Sequence, residues 1–324
     1  MRKTHALGST LAAVTWMCCG GTLAGHAQGF PQRPVQIVVP YPAGGIADAQ
    51  ARILAQRLPE HWGQPIIVEN KSGGLTIPGT IAVAKAAPDC HSILLSGLPV
   101  TVNALREQPL PYDTATNLAP VSHITDVPNL LVVPASSPFK RLADLVDHAK
   151  RNPGKLSYAS TGIGGTSHLG SELLAAAAGI EIVHVPYRGG AAAAIDLIAG
   201  RIDMMFDSSS AENVAAGRLR ALAVTSVQRL EQFPEVPTVA ELGYPNFSAS
   251  AWFTIWTTGG SPPSCIEKLS HDINGVLMDA PVRERLAVLG AFVVGTSPQG
   301  TQRFLEAESR RWSELIRQRG LKLD

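Results

Sequence analysis

Between residues 35 and 95, three short apolar runs alternate with two stretches of helical period. Val35 to Val39 reads as a strand, and Ala47, Ala51, Leu54 and Leu58 then recur at helical spacing. Pro65 to Glu69 is a second strand. Thr76 to Ala87 is a second helix, with Pro78 and Gly79 in its first turn, and Ser92 to Leu95 is a third strand. Strands separated by helices pair in parallel, and a parallel sheet needs helices over its faces. This βαβαβ order restricts the chain to an α/β fold.

The pattern restarts further on. Leu130 to Val133 is a strand ended by Pro134, Leu142 to Lys150 a helix, Leu156 to Ser160 a strand and Ser167 to Ala178 a helix. Ile182 to Pro186, Ile202 to Phe206 and Arg220 to Thr225 read as strands, with a helix over Ala191 to Ile198. Ala251 to Thr258 is extended. Helices follow over Ser264 to Met278, Val282 to Leu289 and Pro298 to Arg319. The last three need a sheet to cover, and a return to the first unit supplies one. The expected organisation is a first domain over 28–127, a second over 128–248 and a C-terminal return to the first over 249–324. Two such lobes leave a cleft between them, a common place for a ligand.

Length and charge agree with this. A chain of 324 residues is long for one core and comfortable for two domains, and 45% hydrophobic content supplies the cores. Net charge is +1, with no basic block of the kind that tracks phosphate backbones, so nucleic acid is not an expected partner. Residues 1–27 read as a secretory signal peptide. Arg2 and Lys3 open it, an apolar run from Leu7 to about Gly20 follows, and Gly25-His26-Ala27 supplies small residues for cleavage after Ala27. That run falls short of the roughly 20 residues of a membrane span. A periplasmic location follows as an expectation. Cys18 and Cys19 leave with the signal. Cys90 and Cys265 remain, as one disulfide or two free thiols. No CxxC or Cys/His cluster suggests a metal, and no cofactor is expected.

Two glycine-rich junctions stand out. The first is Tyr41-Pro42-Ala43-Gly44-Gly45 with Ala47 and Asp48. The second is Ser160-Thr161-Gly162-Ile163-Gly164-Gly165-Thr166-Ser167-His168. Each follows a strand and opens a helix, and each lies in a different unit. Glycine lets the backbone turn sharply and lets a ligand approach it. The unpaired N–H groups of a helix start, with the helix dipole, attract an anion. Two such starts facing one another would hold a small anion from both sides. Asp48 reads either as a first-turn carboxylate favouring the dipole or as an acceptor for ligand or fixed water. His168 either orients its loop or packs at the helix start. Neither loop carries the GxxxxGK[ST] of a P-loop, and Gly165 to Gly170 is not a GxSxG elbow. Ser167 beside His168 in sequence does not make a catalytic pair, so no enzymatic activity is expected.

At these residues the chain resembles the extracytoplasmic solute-binding receptors of the tripartite tricarboxylate transporter family, the Bug receptors. The resemblance runs from Ile37 to Gly45 through Gly63-Gln64-Pro65, Leu110 to Asp113, Pro153 to Ser160, His184 to Tyr187, Asp203 to Asp207 and Leu219 to Thr225, to Glu235 to Thr238. It implies a two-lobed type II periplasmic-binding-protein fold. It also implies a small organic acid held between the two glycine loops and delivered to membrane permease subunits; a monomer is expected. A receptor that signals to a sensor kinase is the alternative, and a secreted hydrolase a remote one. Four departures from the family pattern are visible: Ile46 for a frequent glycine, Ala47 for Thr or Ser, a rearranged Ser72 to Thr76, and Cys90-His91 for Gly-Tyr. The first two suggest a ligand with a less polar distal group.

Two further residues are candidates. Arg188, after the Ile182 to Pro186 strand, either meets a second carboxylate or is a surface charge beside Asp196 or Glu181. Asp207, at the end of a strand, either accepts from a ligand or caps a helix.

Overall fold

The computed structural model describes residues 30–323. The signal-peptide reading over 1–27 lies outside them. The chain runs β1 (Val35–Val39), α1 (Ile46–Trp62), β2 (Ile66–Asn70), a 3-10 turn at Gly74–Thr76, α2 (Ile77–Ala84), β3 (Ser92–Ser96) and α3 (Leu98–Asn103). It continues α4 (Thr114–Asn117), β4 (Leu118–Val127), β5 (Leu130–Pro134), α5 (Leu142–Arg151), β6 (Leu156–Ser160), α6 (Thr166–Ala178), β7 (Ile182–Pro186) and α7 (Gly190–Ile198). It ends β8 (Met204–Asp207), α8 (Ala211–Ala215), β9 (Leu219–Val224), β10 (Ala251–Thr258), α9 (Pro263–Met278), α10 (Ala280–Val288), β11 (Phe292–Val293) and α11 (Pro298–Arg319).

Two sheets organise these elements, in the order β11-β4-β10-β3-β1-β2 and β7-β6-β8-β5-β9. β1 pairs in parallel with both β2 and β3, as the βαβαβ order requires. β10 arrives from beyond the second sheet and inserts antiparallel between β3 and β4. In the second sheet β6 is parallel to β7 and β8, while β5 is antiparallel to β8 and β9. Mixed sheets of this kind, with helices on both faces, are the two-lobed α/β architecture.

The sequence reading misses β4, and the reason is physical. Its inward positions include Ser122, His123 and Thr125, all buried polar residues. Each side chain is satisfied inside the protein: Ser122 Oγ donates to Asn274 Oδ1, Thr125 Oγ1 donates to Gln50 Oε1, and His123 Nε2 pairs with Asp126 Oδ1. Hydrogen-bonded burial replaces the apolar alternation that marks a strand. α2 stops earlier than the periodicity suggests and starts one residue later, because Leu75 and Thr76 take left-handed backbone at φ 54° and 70° and divide the 3-10 turn from the helix.

α1, α9 and α10 share one core with β1, β3 and β4, built on Ile37, Leu54, Leu58, Ile93, Ile124 and Ile273. α11 lies on the other face and joins a second cluster. That cluster includes Leu94, Trp252, Trp256 and Trp312 from one side and Tyr158, Leu169 and Phe206 from the other, so a single apolar cluster runs between the two sheets. Cys90 and Cys265 are joined in a disulfide with Cα atoms 6.5 Å apart. It fastens the start of β3 to α9. Among the described residues no helix is long and apolar enough to cross a membrane.

Candidate functional site: two matched glycine loops

The two glycine junctions fold into near copies. In the first loop Gly44 has φ 81° and Gly45 caps α1 at φ −81°, ψ 172°. In the second Gly164 has φ 72° and Gly165 caps α6 at φ −77°, ψ 168°. The left-handed φ at Gly44 and Gly164 is what requires glycine there. Neither cap residue supplies a side-chain hydrogen bond to its helix. The first-turn N–H groups of both helices, which have no intrahelical acceptor, are therefore left to whatever lies in front of them.

Each loop is held in shape by the side chain four residues beyond its left-handed glycine. Gly44 N donates to Asp48 Oδ2 at 2.8 Å, and Gly164 N donates to His168 Nδ1 at 3.1 Å. Asp48 is 3% exposed and also accepts from Arg52 Nε at 3.0 Å and Asn70 Nδ2 at 3.0 Å. Burial pushes its pKa up, but the bonds from Arg52, Gly44 and Asn70 outweigh that and hold it below the ordinary carboxylate value. Both of its oxygens serve the loop. His168 is buried, and its pKa is lowered to about 3 by desolvation and by the nearby His184. It is a neutral acceptor at Nδ1, which places its proton on Nε2.

The remaining second-loop hydroxyls brace the backbone as well. Ser167 Oγ accepts from Thr161 N at 2.9 Å and lies 3.1 Å from Thr161 Oγ1. Ser160 Oγ pairs with His184 Nε2 at 2.6 Å and accepts from Gly162 N at 3.2 Å. Ser160 is fully buried, so this Ser–His pair presents no nucleophile to solvent. Ser167 and His168 point to different partners. Ala47 occupies the position in the first loop that Ser167 occupies in the second, and it is buried in the core of its own unit. A hydroxyl at 47 would turn back onto the loop as Ser167 does.

Tyr41 reaches across to the next strand. Its hydroxyl accepts from Gly97 N at 3.2 Å and lies 3.4 Å from Ser96 Oγ. Burial raises its pKa against the opposing pull of those two bonds. Ala43, Gly44 and Gly45 are exposed, while Gly165 and Thr166 are half-buried. Gly97 immediately precedes α3, and at the far end of α3 a Cβ on Gly164 would lie 3.4 Å from Val102 Cγ1. α3 thus runs from the first loop to the second. Six residues at about 1.5 Å each make it a spacer of roughly 9 Å, the scale of a small metabolite. The sequence reading misses α3, although Pro99 in its first turn is a helix-start signal. It also misses Arg52, whose i,i+4 spacing from Asp48 was visible, and Asn70, which is 22 residues away and was not.

Arg188 is exposed at the end of β7. One acid weighed as its partner, Asp196, is taken by Arg201 and the Tyr187 hydroxyl. Asp207 is buried and accepts from Ser209 Oγ at 3.0 Å and Ser210 Oγ at 2.5 Å. It caps no backbone N–H of α8. A Cβ on Gly190 would lie 3.6 Å from Asp207 Oδ1 and 3.8 Å from Thr161 Cγ2, so the start of α7 adjoins the second loop. A groove of about 780 Å³ lined by Lys140, Arg141, Val214, Arg220 and Val236 contains no residue of either loop.

The family model of the tripartite tricarboxylate transporter family receptor matches residues 50–321. The chain belongs to this receptor family. The receptor is 38% identical to the protein BugT of Bordetella pertussis, over 92% of each chain. It also superposes on the solved structure of R. palustris Rpa4515 with adipate. There the TM-score is 0.84 and the identity 35%, covering 91% of this chain and 99% of that one. MatC from Rhodopseudomonas palustris, solved with bound malate, gives a TM-score of 0.79 at 29% identity, covering 89% of this receptor and all of MatC. The receptor therefore has the two-lobed fold of a solute-binding protein and the solute-binding role of its family.

Proposed function

We propose that this receptor captures a small organic acid in the periplasm and hands it to membrane permease subunits. The observation that carries the ligand class is the matched pair of loops. Two helix starts, one from each unit and joined by α3, have their glycine N–H groups braced and their first-turn N–H groups free of side-chain caps. Such groups favour a carboxylate by charge and by hydrogen bonding. Adipate and malate in the two R. palustris proteins support the same class. In this reading residues 44–48 and 162–168 contact one carboxylate, and exposed Arg188 and buried Asp207 line the far side. The lobes divide near 128 and 249, where the strands change sheet, and residues 1–27 direct export. The protein binds without turnover, because the loop hydroxyls are spent on bracing.

The test is a thermal-shift panel of mono-, di- and tricarboxylates, acidic amino acids, aromatic acids and neutral amides. A compound at about 100 times its Kd stabilises by roughly 2.7 kcal/mol. A carboxylate hit is expected. Hits confined to neutral amides would overturn the anion reading.

A further inference from the structure

We propose that the C-terminal segment Arg319–Leu323, which extends from the first lobe's helix α11, is a clasp that positions the second glycine loop. The claim concerns the loop itself and does not depend on which acid is bound.

α11 is anchored on the first sheet side. Glu308 accepts from Trp252 Nε1 and Trp312 Nε1, each at 2.8 Å, and Trp312 is 1% exposed. From this fixed helix Arg319 Nε donates to Glu172 Oε2 at 2.9 Å. Glu172 lies on α6, the helix that opens at the second loop, and its side chain is 6% exposed. Its other oxygen, Oε1, accepts from Tyr158 OH at 2.6 Å. Tyr158 lies on β6, the strand that enters the same loop. One carboxylate thus ties together the two elements flanking the loop and joins both to the other lobe.

The tie continues to the loop backbone. The Tyr158 ring stacks on His184 with centroids 4.9 Å apart, and His184 stacks on His168 at 4.2 Å. His184 holds Ser160, and His168 holds Gly164 N. The other lobe also comes close to the same glycine: a Cβ there would reach ordinary contact distance of Leu323 Cδ2, at 3.9 Å, and of Val102 Cγ1, at 3.4 Å. Leu323 is itself 4% exposed. Gly164 therefore sits between its own lobe's histidine and the end of the other lobe's chain. The first loop has no equivalent cover, and Gly44 is exposed. A loop whose useful groups are backbone N–H donors binds only as well as its backbone is placed. Arg319 bonds a brace of that loop and Leu323 lies beside its Gly164, and both act as positioning residues.

The test is amide hydrogen exchange on the full chain without added ligand, comparing wild type with Arg319→Ala, Arg319→Lys and Leu323→Ala. Exchange reports local opening directly. We expect at least a tenfold faster exchange across 162–168 in Arg319→Ala and Leu323→Ala. Protection in β1 and at the Gly97 N–H should be unchanged, and Arg319→Lys should recover part of the loss. Unchanged exchange over 162–168 in a folded variant would overturn the proposal. So would a uniform rise over the whole chain, the mark of a general packing role. If Arg319→Ala does not fold, Leu323→Ala carries the test, since it removes the side chain beside Gly164 and keeps the ion pair.

Discussion

Asp48 and His168 do the same job with different chemistry, and pH separates them. Each accepts the N–H of a left-handed glycine four residues earlier. His168 is neutral when folded, with a pKa of about 3, whereas an unfolded histidine titrates near 6.5. Between those values the unfolded chain binds the extra proton, so stability falls as pH drops from about 6.5 towards 3, by at most about 1.4 kcal/mol per pH unit. Asp48 has its pKa lowered, so its contribution is present above the ordinary carboxylate range and is lost only below it. Between pH 6.5 and 4.5 His168 therefore contributes to the slope and Asp48 does not. Thermal unfolding across that window should be less pH-dependent in His168→Gln than in wild type, while His184, whose pKa burial also lowers, keeps a slope of the same sign. Parallel slopes would show that His168 is not the titrating group. Asp48→Ala should behave differently. It removes the acceptor shared by the half-buried Asn70 amide and the exposed Gly44 N–H, which water can partly replace, so the cost is about 1 kcal/mol at neutral pH and should appear as a lower urea midpoint.

At the scale of elements, the loops tolerate some substitutions and the crossing strand does not. Gly165 has ordinary backbone, and a Cβ there would meet nothing closer than 3.4 Å. Gly165→Asp should therefore fold with a near-native Tm yet show no thermal shift with any compound that stabilises wild type, because its carboxylate occupies the anion position. Retained shifts would remove the second loop from the site. Gly97→Ala is the contrast, since its Cβ would lie 2.5 Å from the Trp252 carbonyl oxygen on β10. Backbone must move, and we expect a loss of about 1–3 kcal/mol in denaturant unfolding. The same contrast describes what the sequence could reveal. Elements with clean apolar period, such as β1, β6, β10 and α11, match their reading to within a residue. The glycine junctions announced themselves because left-handed backbone leaves a compositional trace. β4 did not, because its core positions are hydrogen-bonded serine, histidine and threonine. α3 did not, because six residues rich in β-branched side chains carry no helical period. Its role as the spacer between the loops depends on contacts with Tyr41, through Gly97, and with Gly164, which no local pattern encodes.

For the whole molecule, the decisive feature is that the chain leaves the first sheet after β4 and returns as β10, with the entire second sheet in between. The helical C-terminal reading anticipated the return. It could not anticipate that Cys90 and Cys265 would meet, because their approach depends on α9 packing back against the β3 end of the first unit. The disulfide closes a loop with a sequence separation of 175 that contains all five strands of the second sheet. A cross-link over so long a loop restricts the unfolded chain strongly, worth roughly 2–5 kcal/mol in the chain-entropy account. It lies on α9 and before β3, away from both glycine loops. The double variant Cys90→Ser, Cys265→Ser should therefore lose that stability and unfold at lower temperature. The Tm increment conferred by a saturating carboxylate should be retained, because N–H donors, loop braces and the Arg319–Glu172 tie all remain. A variant with wild-type Tm would mean that the bond is not formed in the folded protein. A variant with lowered Tm and no ligand increment would mean that the seam between α9 and β3 controls how the two loops are set against one another, so that closure of the first unit and capture of the ligand are one event.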